Sequence, residues 1–107
     1  MKKGTIKVSV LYPDGEGKTF DIDYYCNKHV PMVAGLLGDA VIGATVEKGI
    51  AGGAPGSKAT YQAMGNLYFE SVEKFQDSFG PNTEKIMSDL PNFTNIQPVI
   101  QISEVFI

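Results

Sequence analysis

Residues 60–70 alternate without interruption. Tyr61, Ala63, Gly65, Leu67 and Phe69 fall on one side of an extended chain, and Gln62, Met64, Asn66 and Tyr68 on the other. A period of two over that length specifies a strand with two different faces, and the small residues at 63 and 65 leave room for something bulky above one of them. Residues 5–12 follow the same rule, with Ile6, Val8, Val10 and Tyr12 opposed to Thr5, Lys7, Ser9 and Leu11. Residues 40–48 are rich in Val, Ile and Thr and predict another strand. The last strand is expected over 98–107, with Ile100, Ile102 and Phe106 on one face and Val99, Val105 and Ile107 on the other.

Between these strands the period changes. Turn residues 13–17 precede Asp21, which suits a helix N-cap and is followed by Ile22, Tyr25 and Cys26. Pro31 disfavours helical geometry at Val30, so this helix is expected to end near His29, and a second helical stretch to begin at Pro31 and stop at Gly38. Ser71 starts another helix, whose buried stripe is Val72, Phe75, Gln76 and Phe79, and Gly80-Pro81 breaks it. Residues 82–90 predict a short helix burying Ile86, Met87 and Leu90, and residues 91–95 an ordered loop. The order strand, helix, strand, strand, helix, strand is that of an α+β, ferredoxin-like βαββαβ domain spanning 1–107, an antiparallel four-stranded sheet with helices on one face. Leu11, Met64, Tyr68, Val99 and Val105 then make the uncovered face too apolar to leave wet. A homodimer through the sheet faces is the expected solution.

Composition removes several function classes. The formal charge is −3, and all nine basic residues are lysines scattered along the chain. With no arginine, bidentate recognition of phosphate or guanine is closed, so no nucleic-acid partner is expected. Apolar residues 8–11 are too few for a secretory leader, and no run approaches the roughly 20 residues of a membrane span. One cysteine allows no internal disulfide, and the expected location is cytoplasmic. The glycine-rich residues 49–57 miss the phosphate-loop pattern, because Ser57 separates Gly56 from Lys58, and they read as a hairpin connection that could act as a flap.

The chemistry concentrates in residues 20–31, which hold the only histidine, the only cysteine, an adjacent tyrosine pair, and Asp21 and Asp23. On a helix, Asp21, Tyr25 and His29 share a stripe, with Tyr24 offset. His29 suits a general acid or base, or else a cap on the last carbonyls of its helix. Tyr25 is either core or a group at the pocket rim. Asp21 is chiefly a cap, Cys26 a small buried hydrophobe or a weak nucleophile, and one histidine builds no conventional metal site.

The pattern Phe20-Asp21-x-Asp23-Tyr24-Tyr25-x-x-x-His29-x-Pro31, after a strand ending Leu11-Tyr12-Pro13, resembles the EthD family, named for ethyl tert-butyl ether degradation. Phe69-Glu70-Ser71, Phe75-Gln76 and residues 86–95 are similar to it as well, so the likeness spans nearly the whole chain. It implies the dimeric α/β-barrel fold, shared with small monooxygenases, muconolactone isomerases, polyketide cyclases and some haem enzymes. The likeness pairs His29 with the tyrosines and marks Asp89 and Thr94, whose residue-level reading is a hydrogen bond that fixes the loop. The expected protein binds a small apolar or oxygenated compound in a pocket lined by Tyr12, Tyr24, Tyr25, His29, Tyr61, Leu67 and Phe93. His29 would move a proton and Tyr25 would orient an oxygen, in a cofactor-free isomerisation, dehydration or cyclisation, or in an oxygenation. A non-catalytic binding or accessory dimer is the alternative.

Overall fold

The computed structural model describes residues 2–107. Strands β1 (Ile6–Pro13), β2 (Gly43–Lys48), β3 (Tyr61–Phe69) and β4 (Val99–Glu104) form one antiparallel sheet in the order β2-β3-β1-β4. The two most regularly alternating segments, β1 and β3, are thus the central pair, and their register sets Val8 opposite Leu67, Val10 opposite Gly65 and Tyr12 opposite Ala63. Helix α3 (Val72–Phe79) starts at Ser71, whose hydroxyl accepts the Lys74 amide at 3.1 Å, and α4 (Thr83–Ser88) follows it through a 3₁₀ turn. The helices cover one face of the sheet. Val8, Leu37, Phe69, Phe75 and Ile86 make one end of the core there, and Tyr12, Tyr25, Ala63, Phe93 and Ile96 make the other.

The break expected at Pro31 does not occur. The short helix α1 (Ile22–Tyr24), a π turn (Tyr25–His29) and α2 (Val30–Leu37) run on as one rod, and Val30 is helical at φ −62°, ψ −44°. The Val30 amide bonds back to the Tyr25 carbonyl, five residues away, in place of the usual four. Pro31 falls in the first turn of α2 and has no N–H to leave unpaired. Gly38, at φ 59°, then ends the rod.

Three other expectations need correction. The second strand begins at Gly43, because residues 38–40 close a 3₁₀ turn first. The last strand stops at Glu104, short of the apolar end of the chain. The uncovered sheet face is also more polar than its apolar members suggest. Asn66, only 3% exposed, accepts from Ser9 at 2.9 Å and donates to Thr45 at 3.1 Å and to Glu47 at 2.7 Å, beside Leu11 and Met64. Ile100 and Ile102 lie in register with Val10 and Val8 on the helix side, yet they stay 44% and 46% exposed because β4 is an edge strand that the helices do not reach. Cys26 is exposed, on the outer side of the π turn.

The room predicted above positions 63 and 65 is filled by Tyr25. A Cβ on Gly65 would collide with the Tyr25 hydroxyl. Gly65→Ala should therefore lower stability by about 1–3 kcal/mol, as overpacking does. Gly53→Ala, at a loop position where a Cβ meets nothing within 4 Å, should leave it unchanged. Urea denaturation of the two variants side by side checks this.

Candidate functional site

Two loops hold the start of the helical rod in place. The Asp21 amide donates to the Phe93 carbonyl at 2.8 Å, and the Asp21 carboxylate caps the Tyr24 amide at 3.0 Å. Thr94 donates to the Thr19 carbonyl at 2.7 Å, while Asn95 accepts from the Thr19 amide at 2.9 Å and donates to the Gly17 carbonyl at 3.0 Å. Residues 17–21 and 93–95 are thereby tied together across more than seventy positions of sequence. Asp21 serves as a cap in this arrangement, and the stripe expected to contain it is reduced to Tyr25 and His29.

Those two rings stack at 5.4 Å with an interplanar angle of 17°. Phe93 closes on both, at 5.1 Å from Tyr25 and 4.6 Å from His29, and Tyr12 meets Tyr25 edge-on at 5.6 Å. His29 is 4% exposed. Its Nδ1 lies 2.9 Å from Oδ2 of Asp89, whose other oxygen accepts from the Tyr24 hydroxyl at 2.8 Å and from the Asn92 amide at 2.8 Å. Partial burial pushes the Asp89 carboxyl up, but the hydrogen bonds from Asn92, His29 and Tyr24 together hold it below the ordinary carboxylate value. An ionised carboxylate only accepts, so Nδ1 carries the hydrogen and the lone pair of a neutral imidazole is on Nε2. His29 also borders a cavity.

The cavity lies between the sheet and the helices and has a free volume of about 50 Å³. Val10, Val33, Val46, Leu67, Ile86 and Leu90 make its walls, and Tyr12, Tyr25, His29, Thr45 and Asn66 are the polar residues that border it. Burial drives the Tyr12 phenol far above its usual pKa. Burial also pushes Tyr25 up to about 12, with the Tyr12 hydroxyl pulling it down and the negative charge of Glu47 contributing to the rise. Both are therefore neutral hydrogen-bond donors at ordinary pH, not bases.

The structure brings Tyr12, Tyr25, His29 and Leu67 together around this cavity. Phe93 packs behind the Tyr25 and His29 rings without bordering the cavity, and Tyr61 is half-buried and outside the lining. Tyr24 faces away, over an outer groove with Lys28, Lys85, Asp89 and Asn92. Helical spacing relates residues three or four apart, so it could not find Asp89, sixty positions beyond His29; only the likeness of residues 86–95 marked that residue. Asn92 carried no signal of its own.

A family model described as the EthD domain matches residues 14–97. An EthD-like protein from Ralstonia eutropha JMP134 is 44% identical, with a TM-score of 0.92 over 99% of this chain and 96% of that one. An ethyl tert-butyl ether degradation family protein from Bacillus halodurans C-125 is 20% identical, with a TM-score of 0.66 over 95% and 99%. A dimeric ferredoxin-like protein of unknown function from Thermobifida fusca YX shares the fold at 11% identity and a TM-score of 0.57, over 98% and 94%. A comparison with curated proteins finds no match. No helix of the described residues is long and apolar enough to cross a membrane.

Because the folded-state pKa of Asp89 is depressed, its contribution to stability is present in full above the unfolded value of about 3.9 and is lost as pH falls through the folded value. Asp89→Asn should therefore be less stable than the parent at neutral pH, and the gap should close on acidification. Denaturant midpoints of both proteins measured from neutral pH into the acid limb test the sign.

Proposed function

This chain belongs to the EthD family, and we propose that it is a small homodimeric enzyme that moves a proton within a modest apolar or oxygenated organic compound, without a cofactor. One observation carries the reading: a buried imidazole that is bonded through Nδ1 to a carboxylate and borders an apolar cavity. Nε2 takes a proton from a C–H or O–H of the bound compound, and Asp89 is already in place to accompany the imidazolium that forms. The Tyr25 or Tyr12 hydroxyl faces the charge that develops on the compound's oxygen. Returning the proton at another atom is an isomerisation, delivering it to a departing hydroxyl is a dehydration, and carbon–carbon bond formation before its return is a cyclisation. An oxygenation would use the same first step, with molecular oxygen meeting the carbanion.

Homodimerisation rests on the uncovered sheet face, where Leu11, Met64, Tyr68 and Val99 surround the Asn66 network, and on the description of the Thermobifida relative as dimeric. A cytoplasmic enzyme suits the single exposed Cys26. A binding or accessory dimer would keep the cavity and need no proton transfer.

Solvent deuterium incorporation separates these readings. In D₂O the protein should catalyse exchange of acidic C–H protons in small enolisable compounds, read by proton NMR. His29→Gln should lower that rate by about 100-fold or more, the contribution expected of a general base. Its unfolding free energy should move by no more than about 1 kcal/mol, because Asp89 keeps Tyr24 and Asn92. A His29→Gln protein that exchanges as fast as the parent makes the cavity a binding site only.

A further inference from the structure

The interior of the cavity has a definite charge balance. His29 is the one side chain there that can become a cation, and among the described residues none of the nine lysines borders the space. Its Nδ1 is already committed to Asp89, which accepts three hydrogen bonds and is held as the anion. The pair therefore carries a net charge of −1 with a neutral imidazole and zero with an imidazolium, and in neither state is there a positive charge left for a ligand. Glu47, which also acts on Tyr25, is negative as well. A carboxylate entering the cavity would lose its hydration without gaining a counter-charge, which weighs against its binding.

An ammonium ion fares little better. Asp89 stands behind His29, outside the cavity lining, and the walls are aliphatic. A neutral oxygen acceptor, by contrast, finds a donor. The Tyr25 hydroxyl rests against Gly65, a cavity residue, and keeps its proton, and the Tyr12 hydroxyl beside it donates to the Tyr25 oxygen, which leaves the Tyr25 hydrogen for a ligand. The free volume of about 50 Å³ limits the rest of the molecule to a small apolar body.

We propose that this cavity takes an electrically neutral carbonyl compound, its oxygen held by the Tyr25 hydroxyl and its apolar part against the aliphatic walls, and that it rejects carboxylates and ammonium ions of the same shape. The substrate class rests on the proton-transfer reading but is tested by binding alone, so each can fail without the other.

Acetone, acetate and isopropylammonium are small, alike in shape and different in charge. Each is titrated into the isotope-labelled protein at about pH 8, where the acid and the amine are both charged, and the shifts of the Tyr12 and Tyr25 ring signals are followed by NMR. Acetone should bind at least about tenfold more tightly than either ion, since an uncompensated buried charge costs more than the 1.4 kcal/mol that tenfold represents. Tyr25→Phe, which deletes the free donor, should weaken acetone binding by roughly five- to tenfold and leave the ions unaffected. The proposal is overturned if either ion binds as well as the ketone, if Tyr25→Phe keeps the parent affinity, or if no probe shifts the two rings. Ketone binding with no deuterium exchange would instead remove the proton-transfer reading and leave a neutral-ligand site.

Discussion

The contact between the Tyr25 hydroxyl and the bare backbone of Gly65 sets the distance between the helical rod and the sheet. A tyrosine that reaches the sheet surface cannot settle over a strand with large side chains, and Ala63 and Gly65 are the two places on the helix side of β3 where the strand is low. Once Tyr25 is seated there, Tyr12, Phe20, Phe93 and His29 pack around its ring at centroid distances of 5.0 to 5.6 Å. Aromatic rings with few rotamers, in edge-on or stacked contact, fix one another's orientation at little entropic cost. His29 inherits its position from this cluster.

The orientation of its imidazole comes from elsewhere. Asp89 lies just after α4, and the loop that follows is fastened to residues 17–21 by backbone and side-chain hydrogen bonds. The carboxylate and the imidazole it faces therefore belong to two segments that are themselves joined, and their separation does not depend on either segment alone. Tyr24 and Asn92 take the other oxygen of Asp89 and keep the carboxylate from rotating away. The result is a defined tautomer, with the lone pair of the neutral imidazole on Nε2.

Most of the scaffold was legible because its signals are local. Alternation over 5–12 and 60–70 marks the central strands, and the caps at Asp21 and Ser71 mark where helices begin. Pro31 misled because the clash between a proline ring and the residue before it disfavours helical geometry without forbidding it, and Val30 is held helical by its amide's bond to the Tyr25 carbonyl. Ile100 and Ile102 alternate as a buried strand should, but burial depends on what the sheet's edge meets, which a period of two does not encode. The partnership of His29 with Asp89 was illegible from spacing for the same reason. It is created by the packing of α4 against the rod, and only a likeness across the whole motif could mark the residue.

Separating the two faces of the imidazole resolves a conflict in building such a site. A base that works on a weakly acidic compound gains from apolar walls, which exclude water and strengthen the phenol hydrogen bonds to a developing oxyanion. The same walls penalise the imidazolium that forms when the base succeeds. Here the compensating charge is placed outside the cavity: Asp89 sits 2.9 Å behind Nδ1, with its side chain 17% exposed and the outer groove beside it carrying Lys28 and Lys85. The imidazole thus lies between the cavity it borders and a partly exposed carboxylate. The cavity can stay apolar and small because the charge that stabilises its one base is kept out of it.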